Sequence, residues 1–142
     1  MTHALFGAFL ALSTPAFAGE AITYAYDGSF EDATFAVESA IVDQGLVIDY
    51  VSHVGDMLNR TGADVGSDAM LFEAADIFIF CSAVVSREVM EVDPMNIVHC
   101  PYGIFVTERE GAVTIGHRDF PEGPMDKVEA LLAGIVKCAM DG

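Results

Sequence analysis

His99-Cys100-Pro101-Tyr102 is the densest run of chemically capable side chains in this 142-residue sequence. Proline fixes its own φ and holds the residue before it extended, so Cys100 would be presented from a rigid turn. From there His99 or Cys100 could serve as an axial ligand to haem iron. Phe78, Phe80, Tyr102 and Phe105 mark an aromatic-rich central sheet, and with Cys81 they would suit the wall of a site for a flat apolar or redox ligand. The plainer reading is packing: a loop entering a strand, with the aromatics in the core. Cys81 and Cys100 flank the same central stretch, so they are the best-placed pair for a disulfide in an oxidising compartment. As thiols they would instead be inert, or serve thiol-redox or sulfur-handling chemistry. Cys138 reads as a small buried hydrophobe. No C-x-x-C or C-x-x-C-H occurs, which removes thioredoxin-like exchange and covalent haem attachment.

The remaining candidates are weaker. His53, His99 and His117 match no zinc spacing. Met57, Met70, Met90 and Met95, with Cys and His, would be soft enough for copper, though methionine more often fills a core. Asp27, Glu31 and Asp32 surround a helix start, where capping and the dipole account for them. Glu88, Glu91 and Asp93 read as a solvated face. G-x-S-x-G, G-x-G-x-x-G, Walker and EF-hand patterns are all missing.

Six Lys and Arg against 22 Asp and Glu leave a formal charge of −16. That balance argues against nucleic acid, whose phosphates need cations, and against anionic membrane surfaces. Mean hydropathy is nevertheless +0.44, which argues for a packed core rather than an acidic disordered chain.

Residues 1–18 hold no charged side chain; Ala4 to Leu12 is apolar, and Ala16-Phe17-Ala18 has the A-x-A form of a cleavage site. The n-region departs from the usual pattern in lacking Lys and Arg. We expect a signal peptide over 1–18, a single domain over 19–142, and export, to the periplasm if the source is Gram-negative. No further integral membrane segment is expected.

The remaining chain must position the candidate residues. Ile22 to Tyr26 reads as a strand. Ser29 caps a helix carrying Phe30, Ala33, Val37, Ala40 and Ile41 on one face, and Gly45 ends it. Leu46 to Val54 is a second strand. Helical turns follow at Asp56 to Asn59 and at Ala69 to Ala75. Asp76 to Cys81 is a continuous apolar central strand. Ser82 caps a helix to about Val92, and Asp93-Pro94 ends it. Ile104 to Glu108 and Ala112 to His117 form a hairpin through Arg109-Glu110-Gly111. Met125 to Met140 is the clearest helix, with apolar residues 3, 4, 7, 8 and 11 beyond Val128. The order β-α-β-β-α-β-β-α predicts a two-layer α+β domain, a mixed sheet with helices packed on one face. The other face is left open, as dimer interfaces often are.

Phe78-Ile79-Phe80-Cys81, then Asp93-Pro94, Cys100-Pro101-Tyr102, and Ile104 to Thr107 followed by Gly111, together resemble the domain-of-unknown-function 302 family. The likeness runs from about Tyr24 to Met140. It implies a compact α+β domain that tends to dimerise, here as a homodimer, and it supplies no catalytic residues. Cys81-Ser82-Ala83 departs from the N-P pair common there. Three functions are open at this level: an exported, non-hydrolytic small-ligand or redox-cofactor binding or accessory protein; a thiol-redox or sulfur-handling enzyme using Cys100 or Cys81; and a structural or interaction protein of the envelope.

Overall fold

A computed structural model describes residues 20–142; the expected signal segment lies outside them. Nine principal elements follow in order. They are β1 (Ala21–Tyr26), α1 (Phe30–Asp43), β2 (Ile48–Ser52), α2 (Val54–Thr61), β3 (Ala74–Phe80), α3 (Ala83–Val92), β4 (Tyr102–Arg109), β5 (Ala112–Arg118) and α4 (Asp126–Asp141). Short 3-10 turns occur at Ala63–Val65 and Pro94–His99.

The five strands form one sheet in the order β1-β5-β4-β3-β2, with every neighbouring pair antiparallel. The two-layer α+β class is as expected, and the sheet is wholly antiparallel where a mixed one was expected. β1-α1-β2 reads like a parallel crossover unit in the sequence. Its two strands do run the same way, but they sit at opposite edges with three strands between them, so they never pair. Parallel ladders require the crossover to return to a neighbouring strand.

Local chemistry accounts for several boundaries. Ser29 accepts from the Asp32 amide at 3.0 Å while the Asp32 carboxylate receives the Ser29 amide, a capping box. At the other end of α1, Gly45 adopts φ +73°; its amide donates to Val42 and that of Leu46 to Ile41. That pair of bonds is the Schellman pattern, and only glycine takes the left-handed position without strain. Glu110 and Gly111 both have positive φ, 53° and 76°, as a two-residue type I′ hairpin turn requires. This turn fixes the register Arg109↔Ala112 and hence the face of every residue on β4 and β5.

The helical turn expected over Ala69 to Ala75 is instead a loop leading into β3. The Glu73 amide donates to the Glu108 carbonyl at 2.9 Å, and the Glu73 carboxylate receives the Glu110 amide. Ala74 and Ala75 then pair with Glu108 and Thr107. Tertiary ladder bonds outweigh the modest helical preference of two alanines and a glutamate.

The core lies between the sheet and α1, α3 and α4. Phe80, Tyr102, Ile104, Val106 and Ile115 from the strands meet Val37, Ile41, Val89, Leu132 and Ile135 from the helices. α2 sits at the sheet margin, where Gly55 approaches β3 so closely that a Cβ would lie 2.5 Å from the Ala75 amide nitrogen. No helix among the described residues is long and apolar enough to cross a membrane.

Candidate functional site

Strand alternation divides the expected site residues between two surfaces. Phe80 and Tyr102 point into the helix-covered core, at 0% and 1% exposure, and they lie opposite one another in the ladder. The Tyr102 hydroxyl shares a hydrogen bond with Ser86 on α3 at 2.9 Å. Burial pushes the Tyr102 phenol up in pKa, partly offset by Ser86. The tyrosine side chain thus ties α3 to the sheet.

Cys81 and Cys100 come together at the end of β3 and the start of β4. Their sulfurs are 2.9 Å apart, both half-buried, as free thiols. Burial pushes the Cys81 thiol up to about 11, and the neighbouring Cys100 and the Asp49 carboxylate push in the same direction. Asp49 is there because β2 bulges between Ile48 and Tyr50. Cys138, by contrast, is exposed. The α4 stripe is Val128, Leu132, Ile135, Val136 and Ala139, and position 138 falls roughly 100° round the helix from its centre.

His99 ends the 3-10 turn before the cis Cys100–Pro101 peptide, and its ring packs edge-on against Phe120 with centroids 5.8 Å apart. It rims a cleft of about 350 Å³ on the sheet face away from the helices, with Ile77, Ile79, Gly103, Phe105 and Arg118. Cys100 is not part of this lining; it packs towards the core. Of the two expected axial donors, His99 alone stands at the cleft. Among the described residues no three His, Cys, Asp or Glu side chains gather closely enough for a metal ion.

A second cleft, of about 380 Å³, lies on the same face. Ile77 and Phe105 are shared; Phe72, Val54, Thr107 and Arg109 complete its walls. Phe105 separates the two. Its ring lies over Gly116, where a Cβ would come within 2.8 Å of Phe105 Cε2 and 2.7 Å of the Ile22 carbonyl. Glycine there lets the aromatic lie flat across the sheet.

Two histidines take positions that their types alone did not indicate. The His53 Nδ1–H donates to Asp76 at 2.7 Å beside the second cleft, with His53 largely exposed. His117 is fully buried on the helix side; its Nδ1–H donates to the Arg118 carbonyl at 2.9 Å, and its Nε2 has no partner. The signal for His117 was its parity with Val113 and Ile115. For His53 and Asp76, 23 residues apart, pairing needed the β2–β3 ladder.

Of the aromatics expected to suit a flat ligand, Phe105 alone lies on the open face; its neighbours Ile77, Ile79, Arg109 and Arg118 were not singled out from the sequence. A signal for the arginines was present: six residues separate Ala112, the partner of Arg109, from Arg118, an even number, so both arginines share a face.

No curated protein matches the chain. A solved structure, the crystal structure of an uncharacterized conserved DUF302 protein from Bacillus stearothermophilus, is 16% identical, with a TM-score of 0.58. The match covers 85% of this chain and 88% of that one. At that identity the likeness shows the fold, the same α+β arrangement. The family model described as domain of unknown function DUF302 matches residues 22–125, from β1 to the residue before α4, and the chain belongs to that family.

Proposed function

We propose that the chain is a small-ligand binding or accessory protein that takes an apolar ligand on its open sheet face. The observation that carries this reading is the pair of clefts on either side of Phe105, floored by Ile77 and left uncovered by α1, α3 and α4, with Val54 of α2 walling the second. Ligand sites are concave, mostly apolar and furnished with few polar groups, and cleft volumes of several hundred Å³ are of that order. Export of the domain, and a homodimer formed through the open face, belong to the same proposal; two copies meeting there would enclose the clefts. Titration with the neutral dye Nile red tests it. The expected result is saturable fluorescence enhancement that Ile77→Asp abolishes while the circular dichroism spectrum is kept. Enhancement unchanged in Ile77→Asp would place the ligand elsewhere.

Haem is the more specific form of the proposal, with His99 as the axial donor at the cleft and without Cys100. A Soret band that His99→Ala weakens and Cys100→Ala leaves intact is its expected signature; no spectral change on haem titration overturns it.

The second reading is thiol redox chemistry, favoured by the 2.9 Å approach of Cys81 and Cys100. The raised Cys81 pKa works against a thiolate nucleophile at neutral pH. It is compatible with a pair that closes into a disulfide. Alkylation followed by mass spectrometry distinguishes the two. Rapid labelling of Cys81 at pH 7 favours catalysis; labelling only after reduction favours a closed bridge.

A further inference from the structure

In a chain with 22 carboxylates, a cation without a carboxylate partner needs a reason. Of the six Lys and Arg, Arg87, Lys127 and Lys137 form ion pairs with Glu91, Glu88 and Asp141 on the helical side. Arg60, Arg109 and Arg118 form none among the described residues. Residues 1–19 contain no Asp or Glu that could supply one. Arg109 and Arg118 both project from the open face, and each lines one of its two clefts.

The two differ in their surroundings. The cleft of Arg118 also holds Glu20, whose carboxylate opposes an anion. In the cleft of Arg109 the one carboxylate is Asp76, and it already receives the His53 N–H at 2.7 Å. The remaining walls there are apolar or threonine. A guanidinium with no protein anion, at the end of an apolar trough, is complementary to a ligand that is apolar along its body and carries one negative charge at its end.

We propose that the ligand of the open face is an amphipathic monocarboxylate, its carboxylate on Arg109 and its apolar body along Phe72, Ile77 and Phe105. This rests on the apolar-ligand reading above and names its chemical class. Arg109 reads the head group, and the groove floor reads the chain. The overall charge of −16 repels anions at long range, so the affinity comes from contact within the cleft, and the site discriminates against polyanions.

Calorimetric titration with decanoate, with 1-decanol as the neutral isostere, tests this at pH 7.5 on the full chain. Decanoate is expected to bind roughly 10-fold tighter than decanol, the value of about one charge-assisted hydrogen-bond pair. Arg109→Gln should erase that preference and leave decanol binding unchanged. Arg118→Gln, which removes the same charge, should retain the preference. Equal binding of the two isosteres overturns the assignment of a carboxylate and leaves the apolar-ligand reading standing. Loss of preference in both variants also overturns it, because net charge rather than Arg109 would then govern. Binding of neither isostere, with the protein dimeric in solution, overturns both readings.

Discussion

The two faces of the sheet carry similar residue types and do different work. The helix-covered face presents Phe80, Tyr102, Ile104, Val106 and Ile115, all essentially fully buried. The open face presents Ile77, Ile79 and Phe105, half-buried, with threonines around them and arginines at the ends. Alternation along one strand separates them: Ile79 and Phe80 are neighbours in sequence and lie in different environments. Hydrophobicity is therefore no guide to role here. The covered face is filled by α1, α3 and α4. The open face keeps the same type of surface available, and two of the three arginines without an ion pair among the described residues, Arg109 and Arg118, project from it.

The sharpest way to break this comparison is to truncate both sides of it. Phe80→Ala should cost about 3–5 kcal/mol, the range for a buried phenylalanine whose cavity cannot collapse. In the monomer Ile79→Ala should cost about 1 kcal/mol, since there its side chain is already partly in water. Urea denaturation at pH 7.5 measures both, and equal losses would mean that the open face is buried against another surface in solution.

Gly116→Ala tests the link between the faces. The new Cβ meets the Phe105 ring and the Ile22 carbonyl, and the carbonyl belongs to the β1 ladder and cannot swing away. A loss of about 1–3 kcal/mol is expected, with weakened Nile red binding as the ring lifts. Full stability in the melting curve would show that Phe105 does not rest on Gly116.

Much of this was readable beforehand. The Ser29 cap, the Gly45 stop, the Glu110-Gly111 turn and the α4 stripe are local features whose chemistry lies within a few residues. The antiparallel sheet order was not readable, because β1 and β2 look like parallel neighbours until β5 takes the place beside β1. The site was half readable. His99 is at the cleft, and Cys81 meets Cys100. Phe80 and Tyr102 are core residues, since an aromatic beside a cysteine carries no mark of which face it will take.

Ser29→Ala should remove about 1 kcal/mol by leaving the Asp32 amide without its cap. This helix end belongs to the covered face alone, so thermal melting should shift while ligand binding does not. A drop in dye affinity would mean that α1 supports the open face as well.

A pH-dependent effect concerns the cysteines, at the end of the sheet where both faces meet. The folded Cys81 thiol titrates at about 11 against an ordinary 9.0. Between those values the unfolded chain gives up its proton and the folded one keeps it, so the stability contributed below pH 9 is lost as pH rises towards 11. Reduced protein should show this decline in urea midpoint. Cys81→Ser should not, and an identical decline in both would assign it to other groups.

Sequence alone determined the number and type of most elements, the acidic exterior and the parity of each strand, because these depend on periodicity and on residues within a turn of one another. Tertiary structure decided which parity is covered. That depends on where α1, α3 and α4 land, a matter of contacts between residues far apart in the chain. The same packing brought Cys81 to Cys100, His53 to Asp76, and left Arg109 beside an apolar trough without an anion.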